Sequence, residues 1–266
     1  MGDNKSKREI LKEKIQDFCL MDDNFLSSVF DGNIECTELV LRIILNNPDI
    51  KVREVRTQRE IKNLRGHSVR LDIEAKDENG RPIDIEVQRA DSGANVKRAR
   101  YNSSLMDANT LMPGEDYESL PESYVIFITA NDVMGAGLAL YHADRVVAET
   151  GKPLGDGTHI IYVNGSYRDE SPIGKLMYDF SCKKAADMYY KVLADKVRYY
   201  KEDAKGVESM CQIMEELIDQ EKREVARETV RRMIKIGKMT LEEIAQCTEL
   251  SIEEVRRIAE EESVPV

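Results

Sequence analysis

Apolar and polar residues alternate one by one along "VRLDIEAKDENGRPIDIEVQ", residues 69 to 88. Val69, Leu71, Ile73 and Ala75 fall on one side of a strand, and Arg70, Asp72 and Glu74 on the other. Ile83, Ile85 and Val87 alternate in the same way with Asp84, Glu86 and Gln88. The two runs flank Asn79-Gly80 and predict a hairpin, with strands near 68–76 and 82–88. Elsewhere the period changes. "DNKSKREILKEKIQDF" predicts a short amphipathic helix. Cys36, Leu39, Val40, Ile43 and Ile44 repeat at helical spacing until "NNP" stops the helix. "IKVREVRTQ" reads as a strand, and "GANVKRARYNSSLMDANTL" as a helix ending at "MPGED". "SYVIFITA" and "THIIYVNG" are short continuous apolar runs, the pattern of strands buried on both faces. After the helix-start Ser-Pro of "SPIGK" the chain turns helical and stays so. The order is α-β-β-β-α-β, a further strand, then helices. It predicts a mixed α/β domain over 1–204 and an α-helical tail over 205–266.

The hairpin poses an electrostatic problem. Its apolar faces must share one side, so partners across the ladder have numbers with an even sum. A bare two-residue Asn79-Gly80 turn gives 159 and is excluded without a bulge. A sum of 158 sets Asp72 opposite Glu86; a sum of 160 sets Asp72 opposite Gln88 and Glu74 opposite Glu86. Either register crowds acids on one patch, at up to about 1 kcal/mol per directly opposed like-charged pair. Two readings stay open: a solvated face screened by Arg70 and other bases, or a site for a hard divalent cation, which takes oxygen ligands.

Charge and cysteine content narrow the function classes. The formal net charge of -11 argues against indiscriminate nucleic-acid binding along the whole chain. Residues 51–101, however, hold 13 Lys/Arg and 9 Asp/Glu, so the basic share gathers around the hairpin. Five scattered cysteines without a CxxC fit a reduced, cytoplasmic chain. The charged start, "MGDNKSKREILKEKIQ", has no apolar signal core, and no apolar run reaches membrane-spanning length. His67, His142 and His159 are isolated, and no GxSxG, P-loop or GxGxxG is present.

"RLDIEAKDENGRPIDIEVQRA" resembles the central motif of PD-(D/E)XK nucleases, in the variant that ends E-x-Q. The ordered series "DDNFLSSVF", "ECTELVLRIIL", "KRARYNSSLMDA", "PGEDYESLPESYVIFIT" and "GTHIIYVNG" resembles the Rpn family of recombination-promoting nucleases, also described as PD-(D/E)XK nuclease family transposases. The resemblance implies a restriction-endonuclease-like α-β-β-β-α-β core, a mixed sheet flanked by helices. It also implies Mg²⁺-dependent hydrolysis of DNA phosphodiesters within the strand, with Mn²⁺ as a substitute cation. By position Asp72 and Glu86 become the metal-binding acids, and the backbone carbonyl of Val87 a further ligand. Gln88 stands where the wider superfamily carries Lys. It offers hydrogen bonds but no charge, which leaves Lys76, Arg70 and Arg98 as candidate cations. The acid that the superfamily often adds from its first helix maps to Glu38, with Glu35 second. Arg70, Lys97, Arg98 and Tyr101 are the candidate DNA contacts, the last three on the helix after the motif. The rival reading is a catalytically weak or inactive nucleic-acid-binding or defence scaffold of the same fold.

"MTLEEIAQCTELSIEEVRRIAEE" resembles a helix-turn-helix, packed through Leu241, Ile244, Ala245, Leu250, Val255 and Ile258. Residues 240–262 hold eight acids against two arginines, and phosphate repels such a surface. The expected role is structural or self-associating, with the heptad-like stretch before it supporting a homodimer.

Overall fold

The computed structural model describes residues 6–62 and 67–263. The chain divides into two compact units, Met1–Val207 and Glu208–Val266. The first opens with α1 (Lys7–Asp17), α2 (Asp23–Phe30) and α3 (Ile34–Ile44). Ser6 and Glu9 close a capping box on α1, and the Asn33 side chain caps α3. Strands β1 (Val52–Ile61), β2 (Val69–Asp77) and β3 (Pro82–Gln88) follow, then α4 (Val96–Thr110) and β4 (Ser123–Thr129). Next come β5 (Leu140–Ala143), the short pair β6 (Val146–Val147) and β7 (Lys152–Pro153), and β8 (Thr158–Asn164). Helices α5 (Pro172–Ser181), α6 (Lys191–Glu202) and α7 (Ala204–Ile236) lead on to α8 (Leu241–Thr248) and α9 (Ile252–Ser263).

Six strands form one sheet in the order β1-β2-β3-β4-β8-β5. The β1–β2–β3 meander is antiparallel, β3–β4–β8 is parallel, and β5 returns antiparallel along the edge. This is the mixed sheet flanked by helices that the α-β-β-β-α-β order predicts, with β5, β6 and β7 added. The parallel strands β4 and β8 bury Val125, Ile126, Phe127, Ile128, Ile161, Tyr162 and Val163, the double-faced burial their apolar runs require.

The hairpin takes the 158 register: Ile73 pairs Ile85, Glu74 pairs Asp84, and Lys76 pairs Pro82. Glu78, Asn79 and Gly80 form a three-residue loop in which Gly80 takes φ +80°. The Asp77 carboxylate fixes it by accepting from the Asn79 N–H at 3.0 Å and the Arg81 N–H at 2.8 Å. Two expectations change. The polar face is not solvated: Asp72, Glu74, Asp84 and Glu86 are all buried. The odd residues of β2 also do not share one side throughout. Val69 and Leu71 pack in a cluster with Phe127 and the α4 residues Ala99, Leu105 and Met106. Phe127 is the lateral partner of Glu86, so that cluster lies on the side to which Glu86 points. The alternation breaks at Asp72, where the β1–β2 ladder skips a pair and the facing Gln58 has φ +53°.

In the second unit Val230, Ile244, Val255 and Ile258 form the core. A Thr240–Glu243 capping box starts α8, and Glu249, at φ 57°, ends it in the left-handed region.

Candidate active site

The site grows from the place where β2 and β3 part. Their ladder ends at Ile73–Ile85, whereas β3 stays paired with β4 through Gln88–Thr129. Beyond the last rung, the Val87 N–H donates not to a strand carbonyl but to Asp72 Oδ2, at 3.0 Å. Continued one step, the register brings Asp72 beside Glu86. The Gln88 amide joins them, its Nε2 lying 3.5 Å from Asp72 Oδ2 and 3.3 Å from Glu86 Oε2.

Helix α4 supplies the donors on the other side. The Asn95 side chain caps it by accepting the Lys97 N–H at 2.8 Å. One turn in, Arg98 donates from Nη2 to Glu86 Oε2 at 2.5 Å and from Nη1 to the Gly93 carbonyl at 3.1 Å. Its guanidinium also lies 5.8 Å from the Phe127 ring centre. Gly93 leaves space that this arrangement uses: a Cβ there would stand 2.0 Å from Gln88 Oε1. Further along α4, Asn102 donates to Asp84 Oδ2 at 3.1 Å and to Glu86 Oε1 at 3.4 Å.

Burial and mutual repulsion control the ionisation of these acids. Glu86 is fully buried, and burial first, then the charge of Asp72, push its pKa up to about 7 against the pull of Arg98. Burial also raises Asp72, partly offset by the Val87 N–H bond and by Arg98 and Arg70, while the charge of Asp23 adds to the rise. Asp84 sits deeper, and burial together with Glu86 lifts it well above the usual carboxylate range. Glu74, directly across the ladder from Asp84, makes an ion pair with Arg59.

The sequence candidates separate in the fold. Asp72, Glu86, Val87, Gln88 and Arg98 come together. Arg70 is exposed beside Asp72, close enough to lower its pKa, and Lys97 is exposed on α4. Tyr101 is half-buried against the α4 cluster, and its hydroxyl donates to the His67 carbonyl at 2.6 Å. Glu38, the expected first-helix acid, is committed elsewhere. It binds Arg42 on its own helix and accepts the Val52 N–H at 2.9 Å, so it ties α3 to β1. Glu35 is exposed.

The acid that does reach the site is Asp23, on α2. It lines a cavity of about 410 Å³ with Asp22, Val87, Gln88 and Arg89, and its charge is felt by both Asp72 and Glu86. Arg89 Nη2 holds Asp22 Oδ2 at 3.0 Å and so links the end of β3 to the start of α2. "DDNFLSSVF" carried the signal, as an acidic helix start before an apolar face. Nothing in that stretch reveals which strand end it meets.

Among the described residues no group of three or more His, Cys, Asp and Glu side chains forms a ready metal cage. The donors nevertheless suit a hard cation, because Mg²⁺ binds through one or two carboxylates and keeps several waters. The Arg98 guanidinium already stands as the positive charge on Glu86.

No helix among the described residues is long and apolar enough to cross a membrane. Comparison with curated proteins and with solved structures gives no match. The family model described as PD-(D/E)XK nuclease family transposase matches residues 39–172, a span that holds both acid-bearing strands and α4. With half the chain matched and the motif acids brought side by side, the chain belongs to the PD-(D/E)XK nuclease family transposases, a family of nuclease-like function.

Proposed function

We propose that the protein is a metal-dependent endonuclease that hydrolyses DNA phosphodiester bonds, with Mg²⁺ as its cation and Mn²⁺ as a substitute. The observation that carries this reading is the pairing of Asp72 and Glu86 from neighbouring strands, bridged by one amide beside an open cavity. Asp72, Glu86 and the Val87 carbonyl hold the cation, and Asp23 adds a fourth oxygen group within electrostatic reach. A divalent ion there supplies charge for the phosphate oxygens and makes water nucleophilic near neutral pH.

The chain's own groups do the rest. Gln88 orients water or a phosphate oxygen by hydrogen bonds. Arg98, partly exposed, replaces the positive charge that a Lys at position 88 would bring. Arg70 and Lys97 meet the backbone phosphates, contacts that set position rather than sequence preference. Tyr101 holds the helix against the sheet.

Supercoiled plasmid tests the reading. Nicking with Mg²⁺ or Mn²⁺ that stops with a chelator, and in both Asp72→Ala and Glu86→Ala, is the expected result. The rival scaffold draws on Gln88 and on the complete burial of Glu86. Salt-sensitive DNA binding without nicking by any of the three proteins would identify it.

A further inference from the structure

Asn102 belongs to no motif of the hairpin, yet it is as fully enclosed as the acids it meets. It lies on α4 and is 0% exposed, as are Asp84 and Glu86. Those two acids are separated by one residue on β3 and point to the same side, because each pairs laterally with a residue of the α4 cluster, Val125 or Phe127. One Nδ2 group reaches both, Asp84 Oδ2 at 3.1 Å and Glu86 Oε1 at 3.4 Å. The remaining oxygens of this pair, Asp84 Oδ1 and Asn102 Oδ1, are buried without a hydrogen-bond partner. Leaving such buried atoms unpaired is unfavourable. A nearby apolar residue would avoid that cost, so the polar pair calls for a reason beyond packing.

Glu86 supplies it. Gln88 and Arg98 both hold Oε2, and among the described residues it is Asn102 that reaches Oε1. The carboxylate is therefore fixed about its own axis from two sides, with Asp84 keeping the amide turned toward β3. Building on the metal reading above, we infer that Asn102 is a positioning residue: it orients the Glu86 carboxylate for the cation, and Asp84 orients Asn102. It touches neither substrate nor the reacting atoms. Groups that orient a metal ligand from behind commonly matter 10–100-fold in affinity.

Mn²⁺ binding followed by electron paramagnetic resonance tests this on the full chain without DNA. Asn102→Leu, close in size but without a donor, should weaken Mn²⁺ binding by about 10–100-fold. Asn102→Thr, which keeps a hydroxyl donor, should recover part of the loss. DNA affinity measured without divalent cation should stay unchanged in both, a separation that a general loosening of the fold would not give. Should the Leu variant fail to melt cooperatively, the unaltered protein decides. Its Asn102 side-chain amide signal should then shift with Mg²⁺ along the same curve that describes Mg²⁺ binding. Unchanged Mn²⁺ affinity in the variants, or an amide signal indifferent to Mg²⁺, overturns the role of Asn102 alone. Failure of the unaltered chain to bind either cation overturns the metal reading, and this inference with it.

Discussion

The acids of β2 and β3 and the acids of α8 and α9 are the same chemical groups in opposite settings. Asp72, Glu74, Asp84 and Glu86 are buried, each facing a donor: Val87 N–H, Arg59, Asn102 and Arg98. Glu242, Glu243, Glu253, Glu260 and Glu261 are exposed, and Glu254 is half-buried on Arg227 at 2.8 Å. In water, like charges a few ångströms apart repel by about 1 kcal/mol; in a protein interior the same pair interacts several times more strongly. Exposed acids can therefore be numerous and individually unimportant. Buried ones persist only with donors, a cation or a bound proton, and the fold keeps them at a cost in stability. That contrast is why the proposed chemistry rests on the hairpin rather than on the more acidic tail.

The sharpest way to break the contrast is to remove one acid from each region. Asp72→Ala or Glu86→Ala should lower plasmid nicking by at least about 10³-fold, the equivalent of several kcal/mol of charge stabilisation. Glu253→Ala, the same deletion on α9, should leave nicking within about twofold and stability within about 0.5 kcal/mol. Equal effects from the two regions would dissolve the distinction.

Next in size is Gly93→Ala. The new methyl would collide with the tip of the Gln88 side chain, which can turn away without disturbing the backbone. Nicking should fall by about 10–100-fold with little change in melting temperature. Unchanged nicking would remove Gln88 from the working site.

The pH dependence of metal binding follows from Glu86. With its pKa raised to about 7, the folded chain holds a proton there that a cation must displace. Affinity for Mn²⁺ should fall by about tenfold per pH unit below 7 and level off above it. Isothermal titration at several pH values reads this directly, and a flat profile from pH 5 to 8 would contradict it.

The smallest effect concerns Asp84. A carboxyl whose pKa rises on folding favours the folded state only at low pH, and that advantage is lost as pH climbs from the ordinary carboxylate range toward the folded-state value. Asp84→Asn removes this loss and keeps an oxygen to accept from the Asn102 amide. The variant should be more stable by about 1 kcal/mol at neutral pH, with the gain shrinking toward pH 4. Calorimetry across that range would expose a gain of the opposite sign.

The amino-acid sequence by itself determined the order of the core strands and helices and the hairpin with its two permitted registers. Those features rest on local periodicity and turn chemistry, which neighbouring residues dictate. The tertiary structure alone decided that the polar face is dry and that alternation breaks at Asp72. It also decided that Glu38 serves the backbone of β1, whereas Asp23, Arg98 and Asn102 converge on the acids. A side chain's partner across the fold depends on how helices seat on the sheet. That seating is set by the shape and burial of many residues together, and no short stretch of sequence records it.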